Sequence, residues 1–223
     1  ILGNPPYRGH SKNQSDWIMG LIKDYKAPEE TNPRQGDDYV KFIRFAHWKM
    51  SQVDKGVIGM ITNASFIDGV THRKMRAELL KEFDEIHIFD LHGRQNYKGD
   101  QNVFAITSIN VAITLFIKSG KKKAGTDGVV YYHDRYGKDT EKFVELQNND
   151  YTTLPAEEVG ISAFEGEYGK TRWSKRIPYF KFFAPMEDET VGLTKEYGDA
   201  WGVNEIFPEY ISGVQTKRDK LFI

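Results

Sequence analysis

Near the start of the chain, Asn4-Pro5-Pro6-Tyr7 brings together residue types that can hold and activate a planar amino group. Asn4 precedes a proline and is biased toward an extended backbone, while two successive prolines fix the chain and remove two amide donors. What remains are acceptors. The Asn4 side-chain oxygen and the Pro5 carbonyl can both face an amino group, and Tyr7 offers a ring on which a flat heterocycle could stack. An amino group conjugated to a purine is a poor nucleophile because its lone pair is delocalised into the ring. Two fixed acceptors favour a more pyramidal nitrogen, and acceptors already in place need little reorganisation at the moment of reaction. The plain alternative for the same residues is a strand followed by a proline turn.

Ile1-Leu2-Gly3 reads as the end of an apolar strand that would deliver this loop. Residues 8–16 are polar, and Arg8, His10 and Lys12 there could meet phosphates or simply lie in solvent. Trp17 to Ile22 is a short apolar patch, followed by a proline- and charge-rich connection over 27–36. Asp37 or Asp38 caps an expected helix, with Tyr39, Phe42, Ile43, Ala46, Met50 and Val53 at helical spacing and Gly56 at its end. Val57 to Thr62 is continuously apolar, as a parallel strand covered on both faces would be. A second helix follows Thr71, with Met75, Leu79, Leu80 and Phe83 inward and Arg73, Lys74, Lys81 and Glu82 outward. Glu85 to Leu91 has strand alternation, a Gly- and Asn-rich loop spans 92–102, and Val111, Ile113, Leu115 and Ile117 share one face of the next strand. No helix separates these two strands, so they are expected to pair antiparallel. Val129 to Tyr132 reads as a further strand.

At 223 residues the chain can bury a substantial core. Its mean hydropathy of -0.59 and net charge of -1 describe a water-soluble protein with no global basic field, so any nucleic-acid site must be a local patch. The absence of cysteine excludes disulfides, a thiol nucleophile and cysteine-ligated zinc, and fits a reducing cytoplasm. No apolar run is long enough to span a bilayer. The six histidines are scattered, and no metal is assigned. The chain opens without methionine in what reads as mid-strand, as a piece of a longer polypeptide would.

Asn4-Pro5-Pro6-Tyr7, then Gly56 to Asn63 with Phe66, Met75-Arg76, and Ile88 to Leu91 resemble the DNA adenine methyltransferase domain of single-polypeptide restriction-modification enzymes. The resemblance implies an α/β fold: the second half of a Rossmann-like S-adenosylmethionine-dependent methyltransferase sheet, with parallel strands and one reversed strand. It also implies direct methyl transfer from S-adenosylmethionine to the exocyclic amino group of an adenine flipped out of double-stranded DNA. Asn4, Pro5, Pro6 and Tyr7 would be the catalytic loop. Leu115 to Gly120 resembles a later motif of that family, which would make Phe116 the second base-stacking aromatic beside Tyr7. Ile211 to Asp219 resembles the segment leading to target recognition, which would place Lys217 and Arg218, with Arg8 and Lys12, on DNA.

The family's glycine-rich turn and acidic residue for the methyl donor are missing here and would lie upstream of residue 1, in the other half of the same polypeptide. A boundary is expected near residue 150, with the catalytic half over 1–150 and a loop-rich linker and start of a target-recognition region over 151–223, where Lys170, Arg172, Lys175 and Arg176 interleave with Trp173. Two other readings remain open: an amino-methyltransferase acting on a protein glutamine or on RNA, and a non-catalytic fragment that only docks DNA.

Overall fold

The computed structural model describes residues 1–7, 9, 11–26, 36–94, 99–106, 108–149, 152 and 157–159. Lys170 to Trp173, Lys217 and Arg218 lie outside the described residues, as do Arg8 and His10. Six strands form one sheet in the order β1-β2-β4-β3-β5-β6: β1 Leu2–Gly3, β2 Gly56–Asn63, β3 Glu85–Asp90, β4 Val111–Lys118, β5 Val129–Asp134 and β6 Glu157–Val159. β1, β2, β3 and β5 run in one direction. β4 is antiparallel to both of its neighbours, and β6 is antiparallel to β5.

The mixed sheet and the antiparallel β3–β4 pair follow the sequence expectation. β4, however, lies between β2 and β3, and β6 is a second reversed strand beyond position 150. Because β4 is reversed, its first residue meets the last of β2, Val111 opposite Asn63, and its last meets the first, Lys118 opposite Gly56. That inversion decides which residues of β4 can reach the Asn4 edge.

Two helices, α2 (Asp38–Met50) and α3 (Arg73–Glu82), cover one face of the sheet. Tyr39, Val40, Ile43, Ala46 and Met50 from α2 and Met75, Leu79 and Leu80 from α3 join Ile58, Met60, Ile86, Ile88, Ala112, Phe116 and Val130 in a single core. Burial of each large apolar side chain contributes about 1.5–3 kcal/mol. The inward stripe on α2 is narrower than the spacing suggests: Phe42 is exposed, and Val53 lies in the turn past the helix end. Arg73, expected outside, is buried. So is Arg76, whose guanidinium donates to the carbonyls of Phe66 at 2.7 Å and Gly69 at 2.8 Å and thereby ties the turns after β2 to α3.

The continuous apolar run of β2 does not have both faces covered. Ile58, Met60 and Thr62 are buried, whereas Val57 on the other face is 45% exposed. Leu2 is 87% exposed, and Ile61, Ile113, Leu115 and Ile117 are only partly buried. By strand alternation and register these residues share one face. Two further α-helices are α1 (Asp16–Ile22), which the sequence shows only as an apolar patch, and α4 (Asp139–Asn148), which the sequence does not signal.

Candidate active site

β1 is short, but the Ile1 nitrogen donates to the Val57 carbonyl and the Gly59 nitrogen to the Ile1 carbonyl, both at 2.8 Å, so the strand is fixed in register on β2. It releases the chain at the carboxyl edge of the parallel strands, where open α/β sheets bind ligands. Pro5 is buried and anchors the loop, while Asn4 is exposed, its amide available to a ligand. Tyr7 is half-buried, and its hydroxyl lies 3.4 Å from the Ile61 carbonyl at the end of β2. Burial pushes the Tyr7 phenol up to about 12, which keeps it neutral at any working pH.

The other side of this edge is built from the ends of β2 and β3 and the beginning of β4. The Ala64 nitrogen donates to the Asn110 carbonyl at 3.0 Å, and Asn63 Oδ1 accepts from the Ser65 nitrogen at 2.9 Å. The long loop between β3 and β4 carries Phe104, held from below by Asn102. Asn102 Oδ1 accepts from the Phe104 nitrogen at 2.9 Å, and its Nδ2 donates to the Ile109 carbonyl at 3.0 Å. Phe104 is 39% exposed, and its ring centroid lies 5.8 Å from that of Tyr7 at an interplanar angle of 47°. Ala105 follows in the left-handed region, with φ 54°, and turns the chain back.

Phe116 does not belong to this site. It is fully buried and packs on Phe83 with ring centroids 5.3 Å apart, opposite Ile58 and Ile86. Its parity does set it apart from Val111, Ile113, Leu115 and Ile117, but the face it occupies is the one roofed by α2 and α3. Its position along the strand excludes it as well. β4 starts at the site edge and runs away from it, so Phe116 lies five residues, about 17 Å, from that edge. Phe104 was missed because the loop after β3 shows no periodicity. The available signal was topological, since a reversed β4 presents its preceding loop, not its end, to the Asn4 edge.

Lys12 is exposed beside Ser11, and the buried Lys41 of α2 donates to the Asn13 carbonyl, fixing the 11–15 segment near the site. On the helical layer, a polar cleft lined by Lys23, Asp24, Arg44, His47, Ser51, Lys74 and Glu78 holds two ion pairs, Arg44 with Asp24 at 2.5 Å and Lys74 with Glu78 at 2.6 Å. Its chemistry is that of a structural network. Among the described residues no strand is followed by a turn with two closely spaced glycines of the kind that holds a nucleotide-like donor, so these residues do not fit a complete S-adenosylmethionine site.

An exposed asparagine amide followed by a proline-fixed turn thus lies at the same sheet edge as the Tyr7 and Phe104 rings. Residues 1–97 match the Eco57I restriction-modification methylase family. Beyond this methylase match, the solved structures similar to the chain include three that share both fold and sequence with it. The ATP-dependent Type ISP restriction-modification enzyme LlaBIII bound to DNA is 30% identical, with a TM-score of 0.57 over 66% of this chain and 11% of that one. The DrdV–DNA complex is 27% identical, with a TM-score of 0.62 over 72% of this chain and 17% of that one. A nuclease-deletion mutant of the Type ISP enzyme LlaGI with a DNA substrate mimic is 27% identical, with a TM-score of 0.61 over 72% and 17%. The chain thus spans 11% to 17% of the length of these enzymes. Among curated proteins none matches.

Proposed function

We propose that this chain is the acceptor half of a DNA amino-methyltransferase from a restriction-modification system, acting on the exocyclic amino group of adenine. The observation that carries this reading is the Asn4-Pro5-Pro6-Tyr7 loop at the carboxyl edge of the sheet with the Phe104 ring facing Tyr7. A base extruded from the duplex would lie on Tyr7 and meet Phe104 obliquely, given the 47° between the rings. Asn4 and the Pro5 carbonyl would accept its amino hydrogens and draw the nitrogen toward the pyramidal geometry of a nucleophile. Similarity to three restriction-modification enzymes, two of them solved with DNA and one with a DNA mimic, supports DNA over RNA or a protein glutamine as the substrate.

S-adenosylmethionine, the donor this family implies, would be held by further strands of the same polypeptide. Two features support that arrangement: β1 is an edge strand with Leu2 almost fully exposed, and the apolar face running from Leu2 and Val57 to Ile117 is incompletely covered. Parallel strands added at the β1 edge need crossover connections, usually helices, and these would lie on a sheet face. The division near 150, the DNA contacts of Arg8, Lys12, Lys217 and Arg218, and a cytoplasmic location belong to the same proposal. No described helix is long and apolar enough to cross a membrane.

The test is methyl transfer from labelled S-adenosylmethionine to unmethylated double-stranded DNA by the complete gene product, followed by nucleoside analysis. Label in N6-methyladenine that disappears with Asn4→Ala supports the reading. Label recovered in protein or RNA, or equal labelling by Asn4→Ala, overturns it.

A further inference from the structure

Far from Asn4 in sequence, α4 carries a lysine with no solvent exposure at all. Lys142 Nζ donates to the Leu91 carbonyl, to Asp100 Oδ1 and to the Gln101 carbonyl, each at 2.6 Å. An ammonium has three donors, and here all three are used. The Asp100 side chain is itself 2% exposed. Beyond Lys142 it accepts from the Gly93 nitrogen at 2.7 Å and the Gly137 nitrogen at 3.1 Å. Every group in this cluster belongs either to the β3–β4 loop or to the start of the α4 segment. The Gln101 nitrogen adds a bond to the Gly137 carbonyl at 2.9 Å.

The neck of the same loop is closed independently. The Leu91 nitrogen donates to the Val111 carbonyl at 2.8 Å, and the Val111 nitrogen to the His92 carbonyl at 2.9 Å. With the neck closed and the 100–101 segment pinned to α4, the chain has only the residues from Asn102 onward with which to place Phe104. A buried ion pair is a costly way to gain stability, since well-packed apolar residues often do as well, but it enforces one arrangement of the segments it joins. We propose that Lys142, acting through Asp100, is a positioning residue that sets the 99–106 segment so that Phe104 faces Tyr7. The proposal rests on the reading of Tyr7 and Phe104 as the base platform.

Hydrogen exchange and single-turnover methylation of the complete gene product test it together. In Lys142→Met, exchange of the amides of 99–106 should rise on the order of tenfold or more, as local opening of a released segment does, while those of 86–90 and 112–117 stay unchanged. Because Lys142→Met leaves the Asp100 charge buried and could impair folding, Asp100→Asn/Lys142→Met removes both charges and should show the same local loosening. Methylation by Lys142→Met should slow about as much as by Phe104→Ala, and Lys142→Met/Phe104→Ala should be no slower than Phe104→Ala alone. Independent effects that multiply, or exchange that rises equally in the core strands, would make the pair a general stabiliser and overturn the proposal. Wild-type methylation by Phe104→Ala would instead remove the base platform and the purpose of the clamp, while the exchange data would still report whether the clamp exists.

Discussion

At the scale of single residues the two phenylalanines of the β4 region separate structure from function. Phe116 is fully buried against Phe83, so Phe116→Ala should destabilise the fold by about 3–5 kcal/mol, read as a lower denaturation midpoint. Phe104, 39% exposed on a loop, should cost little stability when truncated but weaken the hold on an extruded base, worth about 1–3 kcal/mol for a stacked aromatic. The reverse pattern in thermal melts and methylation assays would return Phe116 to the site. The opening loop divides its labour in a similar way. Asn4→Ala removes an acceptor that matters most as the nitrogen pyramidalises, so turnover should fall roughly a hundredfold or more with DNA affinity nearly unchanged. Tyr7→Phe keeps the ring and loses only a 3.4 Å contact to the Ile61 carbonyl, so its effect should be mild, whereas Tyr7→Ala should weaken both base holding and rate.

At the scale of elements, what was legible in the sequence had a periodicity or a rigid signature. The helix starting at Asp38, the strands at 57 and 85, the reversed β4 and the Asn4 turn were all readable, because apolar spacing and prolines constrain the local chain directly. What could not be read depended on contacts distant in sequence. α4 has a weakly apolar face and is tied down by one buried lysine, the uncovered face of β2 looks like a covered one in a run of apolar residues, and the position of Phe104 follows from sheet order. The loop after β3 shows how narrow such a solution is. Gly93 has φ +102°, and a Cβ there would lie 2.5 Å from Asn102 Cα, the residue on which Phe104 rests. Gly93→Ala should therefore destabilise by about 1–3 kcal/mol and slow methylation together, since backbone strain and displacement of Asn102 arise at one point. A variant with wild-type exchange rates over 99–106 and wild-type activity would show that the loop tolerates another path.

At the scale of the whole molecule, one buried polar network links the helical layer to the sheet and makes its stability depend on pH. His47 of α2 receives a bond from the Tyr25 hydroxyl at Nδ1 over 2.9 Å, if the imidazole is neutral, and its Nε2 lies 3.8 Å from Glu82 of α3. Glu82 in turn pairs with Lys118 of β4 at 2.6 Å, and Lys118 also donates to the Met50 carbonyl at 3.1 Å. Burial, reinforced by the Arg44 charge, holds His47 down at about 4, although Glu82, Glu78 and Asp24 pull the other way. An unfolded histidine titrates near about 6.5. Between these values the unfolded chain binds more protons than the folded one, so stability is full above the unfolded value and is lost as pH falls toward the folded one. The loss should be about 1–3 kcal/mol, below the ideal sum because about pH 4.5 does not reach the folded value. Asp90, whose carboxyl burial holds above its usual range, acts in the opposite sense, so the wild-type slope alone is not diagnostic. The comparison that decides is urea denaturation at about pH 7 and about pH 4.5 for the wild type and His47→Gln, which keeps an acceptor for Tyr25 but cannot titrate. His47→Gln should lose less stability over this interval by the amount assigned to His47, and equal losses in the two proteins would show that the imidazole is already protonated, or solvated, in the fold.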